Sequence, residues 1–169
     1  MNRVPEAIAQ LEEALRLKPN YAEAKLNLGS ALVKAHRFPD AIASIKEALR
    51  LKPDYAEAHD ALGVAMYQAG RLPEATAEFE AAVNLKPDYV AARRDLGEAL
   101  WESGRQAEAI AQFEAVLRLN PGDTEAAGAL AIAHSASGRL SGGAVRDEGE
   151  LRPKLDQAET ENNLGLAML

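Results

Sequence analysis

The 169-residue chain has no cysteine, few aromatic residues and no long hydrophobic run. Without cysteine the protein has neither disulfides nor thiolate metal ligands. Aromatic residues make up 5% of the chain and hydrophobic residues 47%, so the apolar content is mainly Ala and Leu. That composition favours closely packed helices over a β-sandwich. No apolar run reaches the ~20 residues that a membrane-spanning helix needs.

An excess of positive charge is also missing, since the formal net charge is -7. An acidic protein repels nucleic-acid phosphates and anionic membranes, so we expect neither as a partner. Glu6, Glu12 and Glu13 lie where a signal peptide would have its apolar core. We therefore expect a soluble, cytoplasmic protein.

The chain is instead organised by a period of 34 residues. Prolines and Leu-Gly pairs recur at this period, each at one position of the unit: Pro19, Pro53, Pro87 and Pro121, and Gly29, Gly63, Gly97 and Gly165. A fixed period of this length is typical of stacked repeats, in which one small supersecondary unit is copied along the chain.

Within a unit, the apolar spacing predicts two helices. Ala24, Leu28 and Leu32 fall on one helical stripe, and Ala41 and Ile45 on another. Between the two helices we expect left-handed C-caps at Gly70, Gly104 and Gly138, with His36 in the equivalent place of the first full unit.

Three glycines lie inside predicted helices, namely Gly29, Gly63 and Gly97. A glycine there costs roughly 1 kcal/mol relative to alanine, so a compensating close approach of the partner helix is expected. The small residues expected opposite them are Ala41, Ala75 and Ala109.

The period, the Leu-Gly pairs and the later small and bulky residues resemble the tetratricopeptide repeat family. The resemblance covers nearly the whole chain and implies an all-α, right-handed superhelical solenoid of antiparallel helix hairpins. We expect a single domain over 1–169, divided into a half repeat 1–21, full repeats 22–55, 56–89 and 90–123, a degenerate repeat 124–157 and a half repeat 158–169.

The degenerate repeat is expected to be the least stable. Gly142, Gly143 and Gly149 lower the helix propensity of its second half. We predict that its second helix is short or displaced.

No residue pattern indicates catalysis, a metal or a cofactor. His36, His59 and His134 occupy different unit positions and lack ligand-spaced partners. The glycines form no phosphate-binding loop, because neither the lysine nor the preceding strand of such a loop is present. The expectation is a protein that is not an enzyme.

The resemblance implies that the first helices of successive units line a concave surface that binds peptides. Carried over position by position, the candidate groove residues are Asn27, Ser30, Lys34, Asp60, Val64, Tyr67, Gln68, Arg94, Asp95, Glu98, Trp101 and Glu102.

Two features of this set suggest the partner. Tyr67 and Trp101 share one unit position, so they should be neighbours, although that position can equally pack against the adjacent hairpin. Carboxylates outnumber cations around them, which favours a basic or amphipathic peptide unless the charge only keeps the protein in solution. The basic and amide clamp with which some family members hold carboxylate tails is absent.

Two alternatives stay open. The chain can be a self-assembling or spacer segment, joined head to tail through terminal helices that carry Ile8, Leu11 and Leu15 at one end and Leu164 and Met168 at the other. It can also be a piece of a longer protein, for example a larger enzyme whose catalytic domain lies elsewhere.

Overall fold

The structure is a computed structural model that describes residues 3–136. The chain forms seven complete α-helices in this part: α1 (Val4–Leu17), α2 (Ala22–Lys34), α3 (Phe38–Leu51), α4 (Ala56–Gln68), α5 (Leu72–Leu85), α6 (Val90–Glu102) and α7 (Gln106–Leu119). A further helix, α8, begins at residue 124 and is described as far as residue 136. No strand occurs among the described residues.

The helices pack as consecutive antiparallel hairpins within the compact unit Met1–Ala127. The closest pairs are α2 with α3, α4 with α5, and α6 with α7. Between repeats, α2 also contacts α4 and α4 contacts α6, whereas no comparable contact joins α3 to α5 or α5 to α7 in the described part. The first helices of successive repeats therefore line one continuous surface. The all-α repeat fold predicted from the sequence is confirmed.

The core repeats with the same period as the sequence. Ala58 and Leu62 of α4 are buried with Phe79 and Ala82 of α5. In the neighbouring hairpins the bulky position is occupied by Ile45 and Phe113, which are also buried. Each hairpin is thus closed by one large side chain from its second helix, packed among small residues.

The predicted left-handed caps are present where the structure describes them. Gly70 and Gly104 both have φ of 75°, and His36 adopts φ of 57° in the equivalent place. The next residue then bonds back to the helix, as Arg71 N does to the Met66 carbonyl at 2.9 Å. This bond satisfies a carbonyl that the helix end leaves free. Gly138 lies outside the described residues.

The helix-interior glycines do mark a close approach, but the group opposite differs from the expected alanines. A Cβ on Gly63 would lie 2.6 Å from a ring carbon of Phe79, and one on Gly97 would lie 2.6 Å from the ring of Phe113. At Gly29 the nearest group is the Ile45 side chain. The bulky residue of the second helix therefore fills the space that glycine leaves. At Gly29 the Ala41 backbone oxygen is also near, at 3.2 Å.

A side-chain latch ties each of two hairpins to the loop that precedes it. His59 Nδ1 lies 2.7 Å from Glu78 Oε2, and its Nε2 lies 3.1 Å from the carbonyl of the preceding loop proline. One period later, Arg93 donates to the equivalent proline carbonyl at 2.7 Å and to Gln112 Oε1 at 2.8 Å. The two repeats reach the same geometry with different residues.

The joints between repeats are built alike. The lysine of each Leu-Lys-Pro segment lies over the tyrosine three residues later: Lys18 over Tyr21 at 4.6 Å, Lys52 over Tyr55 at 4.1 Å and Lys86 over Tyr89 at 5.1 Å. These cation–π contacts hold the short loop in which one repeat ends and the next helix begins.

The apolar face of α1 is partly buried against the repeat that follows it. Ile8 is only 8% exposed, whereas Leu11 and Leu15 are partly exposed. Leu164 and Met168, and the glycines expected to weaken the degenerate repeat, lie outside the described residues. In the short segment 128–136, Ala133 is buried and Ile132 is exposed. Among the helices that the structure describes, none has the length and apolar content needed to cross a membrane.

Candidate peptide-binding groove

The groove residues expected from the sequence lie on α2, α4 and α6, and all but Asp60, Arg94, Trp101 and Glu102 line one of two cavities. The central cavity has a volume of about 190 Å³ and opens to solvent on one side. Its lining is formed by Val64, Tyr67, Gln68, Phe79, Asp95 and Glu98. All of these except Phe79 were expected from the sequence. Phe79 belongs to α5, and it reaches the cavity because Gly63 leaves room for its ring.

The second cavity, of about 390 Å³, lies between α1 and α2. Asn27, Ser30 and Lys34 contribute to its lining from α2, Val4, Ala7 and Leu11 contribute from α1, and Arg3 contributes from the position just before α1. The groove therefore changes character along its length. Its N-terminal end has two cations, whereas its centre has two carboxylates.

Three of the carboxylates on this surface have hydrogen-bond partners. Glu57 Oε1 accepts from Lys86 Nζ at 3.1 Å. Asp60 Oδ2 accepts from a tyrosine hydroxyl, and Glu102 accepts from the hydroxyl of Tyr67. The Glu102 carboxylate, together with burial, raises the pKa of Tyr67 to about 12. This bond holds the Tyr67 side chain towards α6, beside the helical turn that carries Trp101.

Asp60 is less accessible than the sequence suggested. It is 9% exposed, because Tyr89 from the following joint donates its hydroxyl to Asp60 Oδ2 at 2.9 Å. The other carboxylate oxygen, Oδ1, is buried and has no hydrogen-bond partner within the described residues. Burial raises the pKa of Asp60, and burial followed by the Asp60 charge raises the pKa of Tyr89. Asp60 therefore offers little accessible surface to a ligand of the groove.

Asp95 and Glu98 differ from the other acidic residues of the groove. Among residues 3–136, neither has a hydrogen bond or an ion pair. Asp95 is partly buried, and burial together with the nearby Asp60 charge raises its pKa to about 7. Partial desolvation and the Glu125 carboxylate raise the pKa of Glu98. Both carboxylates line the central cavity, and the positive charge of Arg94 offsets theirs only in part.

The cation nearest to this pair is engaged elsewhere. Arg94 Nη1 lies 2.7 Å from Glu125 Oε2 and 3.4 Å from Asp123 Oδ2. Asp123 also accepts a hydrogen bond from Ala126 N at 2.9 Å, which caps the start of α8. Arg94 was expected in the groove, and the structure shows it as a bridge to the next joint.

These joint contacts were not predicted from the sequence, although the sequence holds a signal for them. A residue of the first helix meets the residue 29 positions later, as Asp60 meets Tyr89 and Arg94 meets Asp123. The acidic residue of the first pair, Asp60, lies on the helix, whereas the acidic residue of the second pair, Asp123, lies in the joint. A comparison of the chain's own repeats at this spacing would have found the pairs.

No arrangement suited to a metal ion was found among the described residues, where no group of three or more His, Asp or Glu side chains converges. The surface instead combines aromatic, apolar and acidic groups on a continuous face of helices.

Repeated helix hairpins with a groove along their first helices define a helical repeat scaffold. The sequence model described as Tetratricopeptide repeat matches residues 26–90, 61–124 and 94–144, and a second, described as TPR repeat, matches residues 1–35. The chain therefore belongs to the tetratricopeptide repeat family. A comparison with curated proteins found no match.

Solved structures give the same fold. MamA is similar with a TM-score of 0.72 at 27% identity, covering 78% of this chain and 77% of that one. The protein TTC0263 from Thermus thermophilus is similar with a TM-score of 0.69 at 26% identity, over 77% and 72%. YrrB, described as a TPR protein with an unusual peptide-binding site, has a TM-score of 0.67 at 25% identity, over 80% and 70%.

Proposed function

We propose that this protein is a non-catalytic scaffold that binds a basic or amphipathic peptide, extended or helical, along α2, α4 and α6. The observation that carries the proposal is the central part of the groove. Tyr67 lies there beside Asp95 and Glu98, whose carboxylates form no hydrogen bond or ion pair among the described residues, and Trp101 follows Glu98 by one helical turn. Aromatic side chains are frequent anchors of interfaces, and opposite charge supplies orientation.

The similarity to YrrB supports a peptide as the class of ligand, since that protein is described as having a peptide-binding site. The charge of this groove supports a basic sequence. An acidic peptide would bring further negative charge next to Asp95, whose pKa the Asp60, Glu98 and Glu125 carboxylates already raise.

A random peptide library displayed on phage tests the proposal. The immobilised protein should enrich peptides with lysine or arginine next to apolar residues, and binding should weaken as salt is added. Enrichment of acidic peptides, or no enrichment at all, would contradict it.

Variants locate the binding surface. Tyr67→Ala should weaken binding of an enriched peptide by about tenfold or more, because an aromatic anchor is lost. Tyr21→Ala is the matched control, since Tyr21 is an exposed tyrosine of the first joint, outside both cavities. Equal loss in the two variants would place binding elsewhere. If the protein associates with itself as its concentration rises, and Tyr67→Ala does not change this, self-association through the chain ends is favoured.

A further inference from the structure

The central cavity shows which part of such a peptide it takes. Its lining combines apolar groups, Val64 and the ring of Phe79, with polar groups, those of Tyr67, Gln68, Asp95 and Glu98. Its volume of about 190 Å³ far exceeds the ~15 Å³ that one water needs. A whole side chain can therefore enter it.

We propose that this cavity binds the side chain of one lysine of the partner peptide, a proposal that rests on the proposed function. The methylene stem contacts Val64 and Phe79, and the ammonium lies between Asp95 and Glu98. A lysine side chain combines the same two kinds of group as the cavity lining, because it has an apolar stem and a charged head.

The charges of the surrounding helices support a cationic occupant. Asp60 is nine-tenths buried beside Asp95, with one carboxylate oxygen that lacks a hydrogen bond within the described residues. Arg94 partly offsets the charge of Asp95 but is itself paired with Asp123 and Glu125. The protein thus holds more negative charge at this point than its own cations neutralise, and a bound ammonium corrects the imbalance.

The chemistry of the acceptors favours an ammonium over a metal ion. An ammonium has three donors, and the cavity lining offers acceptor oxygens from Gln68, Asp95 and Glu98 and from the Tyr67 hydroxyl. No converging set of metal ligands is present among the described residues. An amide oxygen and two carboxylates beside an apolar wall are well suited to lysine.

Binding should also change the protonation of the cavity. The groups that act on Asp95 are Asp60, Glu98, Arg94 and Glu125, and with burial they place its pKa at about 7. A cation in the cavity favours the ionised form, so binding near pH 7 should release protons. Calorimetric titration in two buffers of different ionisation enthalpy measures that release.

The decisive experiment uses an enriched peptide and its lysine-to-norleucine analogues, which keep the stem and remove the charge. Norleucine at one position should weaken binding to the unaltered protein by about tenfold or more. With Asp95→Asn the same replacement should have a much smaller effect, because the charged partner is gone. Glu98→Gln should reduce the effect in part.

Glu114→Gln on α7 is the control, since it removes one exposed carboxylate outside the cavity lining. Circular dichroism shows whether each variant folds. If peptides bind but the norleucine replacement lowers affinity equally for the unaltered protein and for Asp95→Asn, the lysine site is refuted, whereas the proposal of peptide binding in the groove stands. If Glu114→Gln has the same effect as Asp95→Asn, general charge explains binding and the lysine site is likewise refuted. If no peptide binds, the proposed function itself fails.

Discussion

The close approach at Gly63 gives a prediction whose size follows from the packing. An alanine Cβ there would lie 2.6, 2.7 and 3.0 Å from three carbons of the Phe79 ring, whereas carbon atoms normally approach to about 3.5–4.0 Å. Phe79 is 2% exposed, so its ring is packed on nearly all sides, and the central cavity that it lines offers space into which it can move. Overpacking of this kind costs about 1–3 kcal/mol.

Helix propensity acts in the opposite direction. Replacing glycine by alanine inside a helix is worth about 1 kcal/mol. The net expectation for Gly63→Ala is therefore a loss of up to about 2 kcal/mol in the free energy of unfolding of the α4–α5 hairpin. Gly128→Ala is the control, because a Cβ on that helical glycine meets nothing within 4 Å. It should stabilise its own helix by about 1 kcal/mol.

Amide hydrogen exchange is the suitable assay, because it reports each helix separately in a chain whose repeats can open one by one. Protection should fall in α4 and α5 for Gly63→Ala and rise in α8 for Gly128→Ala. Adding Phe79→Leu should remove part of the penalty of Gly63→Ala, as a double-mutant cycle would show. If Gly63→Ala raises protection as Gly128→Ala does, the explanation of the helix-interior glycines is wrong.

Two further predictions concern stability. Because the pKa of Asp95 is raised to about 7 from its usual value of 3.8, its contribution to the free energy of unfolding is most favourable below about pH 4 and is lost as the pH rises through 7. Asp95→Asn should therefore stabilise the protein by about 1–3 kcal/mol at pH 8 and by little at pH 4, as measured by urea unfolding. An equal gain at the two pH values would contradict the assignment. His59→Ala should lower the free energy of unfolding by about 1–2 kcal/mol, because it opens the latch to Glu78. His59→Arg combined with Glu78→Gln copies the Arg93–Gln112 latch and should restore that loss in thermal unfolding; failure to restore it would show that the latches are not equivalent.

The repeated features were predictable because each depends on backbone conformation and period. The left-handed caps at Gly70 and Gly104 follow from glycine between two helical patterns, and the cap at His36 follows from its register. The close approach at Gly63 follows from the cost of an interior glycine. The group opposite it was not predicted correctly, since the ring of Phe79, rather than Ala75, fills the space.

The groove could be placed on the right helices but not described in detail. Asp60 has the register of a groove residue, yet Tyr89 covers it from the next joint. Arg94 has the equivalent register and turns towards Asp123 instead. Such outcomes depend on side-chain contacts between repeats, and a position within one repeat does not determine them.

The central claim is that a basic peptide binds in the groove beside Tyr67 and Trp101. Trp101 is the chain's single tryptophan, so its fluorescence reports on the groove. The direct measurement is a titration of the protein with an enriched basic peptide and with the same peptide after each lysine is replaced by glutamate. The account predicts a saturable change in Trp101 fluorescence with the basic peptide, weakened by salt, and none with the acidic one. Binding of the basic peptide that leaves the Trp101 signal unchanged, or equal binding of the acidic peptide, would contradict it.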